Sequence, residues 1–187
     1  SIGDRPDCVV LFELPDVARI LDEIAFWDIY YEHCSYFSLG SLARLFRRCG
    51  FEVVELSREY DDQYLLIAAK PSTTPGAGVP LPQEDDLEDL RRGVEHFRTG
   101  YRELIDGWRQ RLSQLRADGG KAVIWGSGSK GVSFISNLDI DDEVVGAVDI
   151  NPHKWGKFMV GSNHEILSPE ALTGIQPDLV VAMNPIY

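Results

Sequence analysis

Apolar positions follow different periods along this chain, and the changes between them mark its elements. Cys8-Val9-Val10-Leu11-Phe12-Glu13-Leu14 is a short, nearly continuous apolar run, which predicts a central parallel strand covered on both faces. Pro15 closes it, and Asp16 is placed to cap a helix carrying Val17, Ile20, Leu21 and Ile24 at helical spacing. Ser38 heads a second helix, with Leu39, Leu42, Leu45, Phe46 and Cys49 as its apolar stripe. Gly50 stands where a left-handed C-terminal glycine belongs. Phe51 to Leu56 and Tyr64 to Ala69 then read as two strands joined by a polar turn around Asp61-Asp62.

Residues 71–85 are rich in proline and poor in apolar side chains, as expected of a linker. Beyond it, Leu87, Leu90, Val94, Phe97, Tyr101, Leu104, Trp108, Leu112 and Leu115 recur mostly at intervals of three and four. That is the seam of one long helix. Gly93, Gly100 and Gly107 each cost such a helix about 1 kcal/mol against alanine, so packing must hold it. Gly119-Gly120 stops it. Lys121 to Trp125 is a strand that enters Gly126-x-Gly128-x-x-Gly131; a helix to about Asn137 follows, then the strand Glu143 to Val148 and Asp149. Strand, glycine turn, helix, strand and acid give the order of a dinucleotide-binding βαβ unit. A short helix at 169–173 and a strand from Leu179 to Met183 complete a Rossmann-like C-terminal half. The expected division is 1–70, a linker at 71–85, and 86–187.

Composition narrows the function classes. Thirty acidic residues against eighteen basic ones give a net charge of −12, which argues against a nucleic-acid backbone as the ligand, since such binders need a basic face. One small anionic ligand held by backbone amides and a lysine remains compatible. The three cysteines, Cys8, Cys34 and Cys49, have neither disulfide-framework nor zinc spacing, and no metal site is expected. Cys8 and Cys49 read as core residues, and reduced thiols fit a cytoplasmic protein. No stretch has the length and apolarity of a membrane span.

The chemistry concentrates in Tyr30-Tyr31-Glu32-His33-Cys34-Ser35-Tyr36, between the first two helices. Connections usually carry small turn residues, so three phenols, a carboxylate and an imidazole point to a pocket lining. A histidine beside a glutamate is suited to general-base work near neutral pH. On spacing alone, His33 is either that base or a residue packing a domain edge.

Tyr30-x-Glu32-His33 followed by Ser35-Tyr36-Phe37-Ser38-Leu39, a helix and Gly50-Phe51-Glu52-Val53-Val54 resembles the sugar C-methyltransferases. So do Ile124 to Gly131, Val148-Asp149-Ile150-Asn151-Pro152-His153-Lys154, Gly156-Lys157, Pro177 to Val181 and Asn184-Pro185, in that family's order. The family's usual motif is Tyr-His-Glu-His, from which Tyr31 departs. The resemblance implies an α/β chain: the back half of a class I methyltransferase sheet, which ends in an antiparallel hairpin, then a long helix and the Rossmann-like domain. It implies S-adenosylmethionine as methyl donor, with the glycine-rich loop that binds it upstream of Ser1, on a missing N-terminal part of the same polypeptide. It implies methylation of a nucleotide-linked deoxy-keto-sugar through an enolate, with His33 as base, Glu32 orienting or polarising it, and Tyr30 hydrogen-bonding the enolate oxygen or a hydroxyl. Tyr36, Gly126, Gly128, Lys130 and Asp149 are the expected substrate-side residues. Lys130 either pairs with a substrate diphosphate or faces solvent, and the glycine loop either grips the nucleotide-sugar or only makes a tight turn. Two other readings stand beside this one: a non-catalytic nucleotide- or sugar-nucleotide-binding module, and an interaction protein built round the long helix.

Overall fold

The computed structural model describes residues 5, 7–74, 76 and 78–184; Pro185, the last position of the quoted motifs, lies outside them. The chain divides into two units, one of residues 1–24 and 34–98, the other of residues 25–33 and 99–187. Neither follows the expected boundaries at residues 70 and 86. The segment bearing Tyr30, Glu32 and His33 groups with the C-terminal half of the chain.

The first unit holds a three-stranded sheet of β1 (Val10–Pro15), β2 (Phe51–Glu59) and β3 (Tyr64–Pro71), in the order β1-β3-β2 with both pairings antiparallel. Inserting the last strand between the other two leaves β1 and β2 parallel, as expected for the end of a methyltransferase-type sheet. Helix α1 (Val17–Asp22) follows β1, and Asp16 caps it by accepting from the Ala18 N–H at 2.9 Å. Ser38 caps α2 (Leu39–Arg48) in reciprocal bonds with Ser41, and Gly50 beyond its end has φ +83°.

Helix α2 covers one face of this sheet. Leu39, Leu42 and Ala43 pack on Val53, Leu56, Leu65 and Ile67. Leu65, Ile67 and Ala69 alternate, as one face of a strand must. Val53 and Leu56 are three apart and share that face only because a bulge falls between them.

The expectations for β1, for the α2 stripe and for Cys8 and Cys49 are corrected in this unit. β1 is no doubly covered parallel strand. Among the described residues its only strand partner is the antiparallel β3, and Leu11 and Phe12 are exposed. On α2, Leu45 is exposed and Ala43 takes its place in the core. Cys49 is exposed at the helix end and Cys8 is half-buried. Glu84, within the expected 71–85 linker, forms a buried ion pair with Arg47 of α2 at 2.7 Å, and Asp86, just beyond the linker, accepts from the Gly40 N–H at 2.7 Å.

The second unit holds a parallel sheet of β4 (Ala122–Trp125), β5 (Val144–Val148), β6 (Ile166–Leu167) and β7 (Leu179–Ala182), in the order β6-β5-β4-β7. The doubly covered strand is β4, whose Ala122, Val123 and Ile124 are all buried. Helix α4 (Ser129–Leu138) connects β4 to β5, and short α5 (Leu172–Ile175) precedes β7. The long helix forms as expected: α3 (Leu87–Ala117) contributes residues up to 98 to the first unit and the rest to the second. Of its seam only Leu112 is buried, while Leu87 and Val94 are exposed; the helix's other buried residue is Ile105, which is not on the expected seam. Phe134 stacks on Phe26 with ring centroids 5.7 Å apart, and Tyr101 and Trp108 meet these two rings edge-on. This aromatic cluster fixes residues 25–33 to α4.

Candidate functional site

Strand order decides where a ligand fits in the second unit. From β4 the chain proceeds to β5 and β6 on one side, while β7 lies on the other, so direction switches at β4. At such a point the turns leaving two neighbouring strands diverge and open a crevice at their C-terminal ends. A cavity of about 390 Å³ lies there. Trp125, Gly126, Gly128, Ser129, Lys130 and Gly131 line one side, Met183 and Asn184 after β7 another, with Asp149, Ile150 and Tyr30 completing it.

The glycines have distinct duties. Gly126 turns the chain out of β4 with φ +111°, a conformation that L side chains rarely adopt. Gly131 sits where a Cβ would overlap the Gly126 carbonyl oxygen, so α4 can close on the turn only without a side chain. A Cβ on Gly128 meets nothing within 4 Å, which leaves that position open toward a ligand. Gly128 offers no side-chain cap to the ten-residue α4, whose first backbone N–H groups favour an anion.

Asp149 closes the far side, but not as a free ribose acceptor. Its Oδ2 accepts from Ser127 Oγ at 2.6 Å, the Ser127 N–H at 3.2 Å and Lys154 Nζ at 2.9 Å; its Oδ1 accepts from the Asn151 N–H at 2.9 Å. Burial raises its pKa, but these bonds outweigh burial and hold the carboxyl down at about 2. The Trp155 indole N–H donates to the Asp149 carbonyl at 2.7 Å. Asp149 is thus an organiser of the glycine turn.

The Tyr30-Glu32-His33 segment enters the same unit through α4. Tyr30 lines the cavity, and its ring lies 4.5 Å from the His33 imidazole, centroid to centroid. Ser129 Oγ donates to Glu32 Oε1 at 2.7 Å. That bond, with the Glu32 backbone N–H and the nearby His33 charge, holds the Glu32 carboxyl below its ordinary range against a smaller opposing effect of burial. Lys130 lines the cavity, and its Nζ pairs with buried Asp28 at 2.7 Å. Tyr31, the departure from the family motif, is fully exposed. Tyr36 groups with the first unit, half-buried, and is not among the cavity residues.

Sequence reasoning missed Ser127, Lys154, Ser129, Ser133 and Asp28. The readable signal was Ser129-Ser133-Asn137 at intervals of four on the helix that leaves the glycine turn, a polar stripe beside buried Phe134, Ile135 and Leu138. A larger cavity in the first unit, about 700 Å³, is lined by Asp16, Arg58, Asp89 and Arg92 among others. These charges pair with one another, Asp16 with Arg58 and Asp89 with Arg92. Among the described residues no group of histidine, cysteine and carboxylate side chains is arranged to hold a metal, and no helix is long and apolar enough to cross a membrane.

Two family models match this chain. Residues 4–56 match a methyltransferase domain, and residues 83–186 match the C-methyltransferase C-terminal domain. The chain is 31% identical over 190 residues to the C-methyltransferase NovU of Streptomyces niveus, an alignment covering 96% of this chain and 45% of that protein. The chain spans less than half the length of that relative. The glycine turn and Asp149 fall within the longer match and the Tyr30-Glu32-His33 segment within the shorter one, and this chain belongs to the C-methyltransferase family and carries its C-terminal domain.

Proposed function

We propose that this chain is part of an S-adenosylmethionine-dependent C-methyltransferase that acts on a nucleotide-linked deoxy-keto-sugar. The observation that carries the reading is the presence of Tyr30, from the candidate catalytic segment, in the wall of the glycine-turn cavity. One cavity then serves both an anionic handle and a reacting ring.

The donor supplies an electrophilic methyl carbon. Among the described residues of the first unit no glycine-rich turn follows β1, and the Asp16 carboxylate there is occupied by the Ala18 N–H and Arg58. We assign donor binding to polypeptide outside this chain and derive no step through it. What these residues can do is remove a proton. His33 accepts the C–H proton beside the ketone, the electron pair moves into the carbonyl, and the resulting enolate oxygen accepts from the Tyr30 hydroxyl. The Glu32 carboxyl, held below its ordinary range chiefly by the Ser129 hydroxyl, supplies a negative charge beside the position where the proton is taken up. The free N–H groups at the start of α4 and the open side of Gly128 suit a substrate phosphate. Lys130 adds positive charge there, shared with Asp28.

The test is methyl transfer from S-adenosylmethionine to a dTDP-linked 4-keto-6-deoxysugar by the full-length polypeptide, read by mass spectrometry and by NMR of the new C–CH3. Tight binding of the nucleotide-sugar without any methylated product would instead support a non-catalytic binding module.

A further inference from the structure

Ser129, Ser133 and Asn137 are spaced by four residues, so they fall on one side of α4. Each has a partner that leads to the 25–33 segment. Ser129 Oγ donates to Glu32 Oε1 at 2.7 Å. Ser133 Oγ, itself buried, lies 2.9 Å from the Ile29 carbonyl oxygen and 3.2 Å from that of Phe26, and shares its one proton between them. Asn137 Nδ2 donates to Ser133 Oγ at 3.3 Å, and the Tyr101 hydroxyl donates to Asn137 Oδ1 at 2.9 Å. These fix the amide's orientation and keep the serine proton pointed at the segment. Lys130, one residue beyond Ser129, holds buried Asp28.

The segment needs such support. Tyr31, Glu32, Cys34 and Ser35 are exposed, and a surface carboxylate with no fixed partner samples several rotamers. Of the bonds above, only that from Ser129 fixes a side chain of the candidate catalytic set; Ser133 and Lys130 hold the root of the segment.

We propose that Ser129 is a positioning residue for proton removal: it holds the Glu32 carboxylate beside His33, from the same helical turn that lines the cavity. The proposal rests on the catalytic reading of Glu32 and His33 given above. It also joins cavity and base mechanically, since Ser129 lines the one and bonds Glu32 of the other.

The experiment uses the full-length polypeptide and reads solvent-deuterium exchange at the acidic carbon of a dTDP-linked keto-sugar, with the rate and the KM for the sugar measured separately. Ser129→Ala should slow exchange about fivefold, the effect of one exposed hydrogen bond to a charged group, with KM changed less than twofold. Ser129→Thr, which keeps the hydroxyl, should restore the rate. In a Glu32→Ala background Ser129→Ala should add nothing, because the carboxylate it positions is gone. Melting temperatures of all variants separate loss of fold from loss of position. If Glu32→Ala alone exchanges at the unsubstituted rate, the catalytic reading and this proposal fall together. If Glu32→Ala is slow while Ser129→Ala is not, or if the two losses multiply, only the proposal falls.

Discussion

Asp149→Asn is the substitution whose cost follows most directly from geometry. The carboxylate accepts four hydrogen bonds, three of them on Oδ2. An amide has a single acceptor oxygen. Whichever way it turns, its NH2 faces donors, either at Ser127 and Lys154 or at the Asn151 N–H. The native bonds lower the carboxyl from 3.8 to about 2 although burial opposes them, a preference for the ionised form of about 2 kcal/mol. The variant should therefore be less stable by about 2–3 kcal/mol at neutral pH, once the unpaired donors are added. The pH dependence has a fixed sign. A depressed folded-state pKa contributes fully above the ordinary carboxyl value and is lost as pH falls through the folded value, so the gap between native and variant chains should close between about pH 4 and about pH 2. Urea unfolding followed by near-ultraviolet circular dichroism, at neutral pH and along that interval, measures both. A gap under about 0.5 kcal/mol at neutral pH, within the range of ordinary surface substitutions, would refute the ring of bonds as the organiser of the turn. So would a gap that does not narrow toward acid.

Three further outcomes rest on different contacts. Phe26→Ala removes a ring that is 2% exposed and stacked on Phe134, and should cost about 3–5 kcal/mol in unfolding free energy. Gly107→Ala should stabilise the chain by up to about 1 kcal/mol, since Gly107 lies within α3 and a Cβ there meets nothing within 4 Å; a lower unfolding midpoint would show contacts that this geometry lacks. NAD should leave the melting temperature unchanged despite the fingerprint, because both Asp149 oxygens that a ribose would need are occupied; a clear concentration-dependent rise would overturn that and favour a dinucleotide-binding module.

Much of this fold could be read from residue order, for local reasons. Asp16 and Ser38 cap the helices they head, Gly50 takes the left-handed conformation, and Gly126 opens the βαβ unit, because each depends on side chains a few positions away. What failed depends on partners far along the chain. Val9, Leu11 and Phe12 look like a covered strand in sequence, but coverage is decided by neighbouring strands, and here β3 is the strand partner of β1 among the described residues. Leu45 and Ala43 exchange roles because the width of the α2 stripe is set by the sheet beneath it. At the site, the fingerprint located the cavity, while the states of Asp149 and Lys130 could not be read from spacing. Their partners are Lys154, five residues from Asp149, and Asp28, 102 residues from Lys130.

The central claim, that His33 is the base, is tested most directly by His33→Asn in the full-length polypeptide. Single-turnover methylation of a dTDP-linked keto-sugar and solvent-deuterium exchange at its acidic carbon are measured side by side. Asparagine keeps a similar shape and some hydrogen bonding but cannot accept the carbon-bound proton, so both rates should fall by about 10²–10⁴, with sugar binding within a few-fold of the unsubstituted enzyme. If both rates stay near those of the unsubstituted enzyme, His33 packs beside Tyr30 without catalytic duty, and the base lies elsewhere, with Glu32 the next candidate.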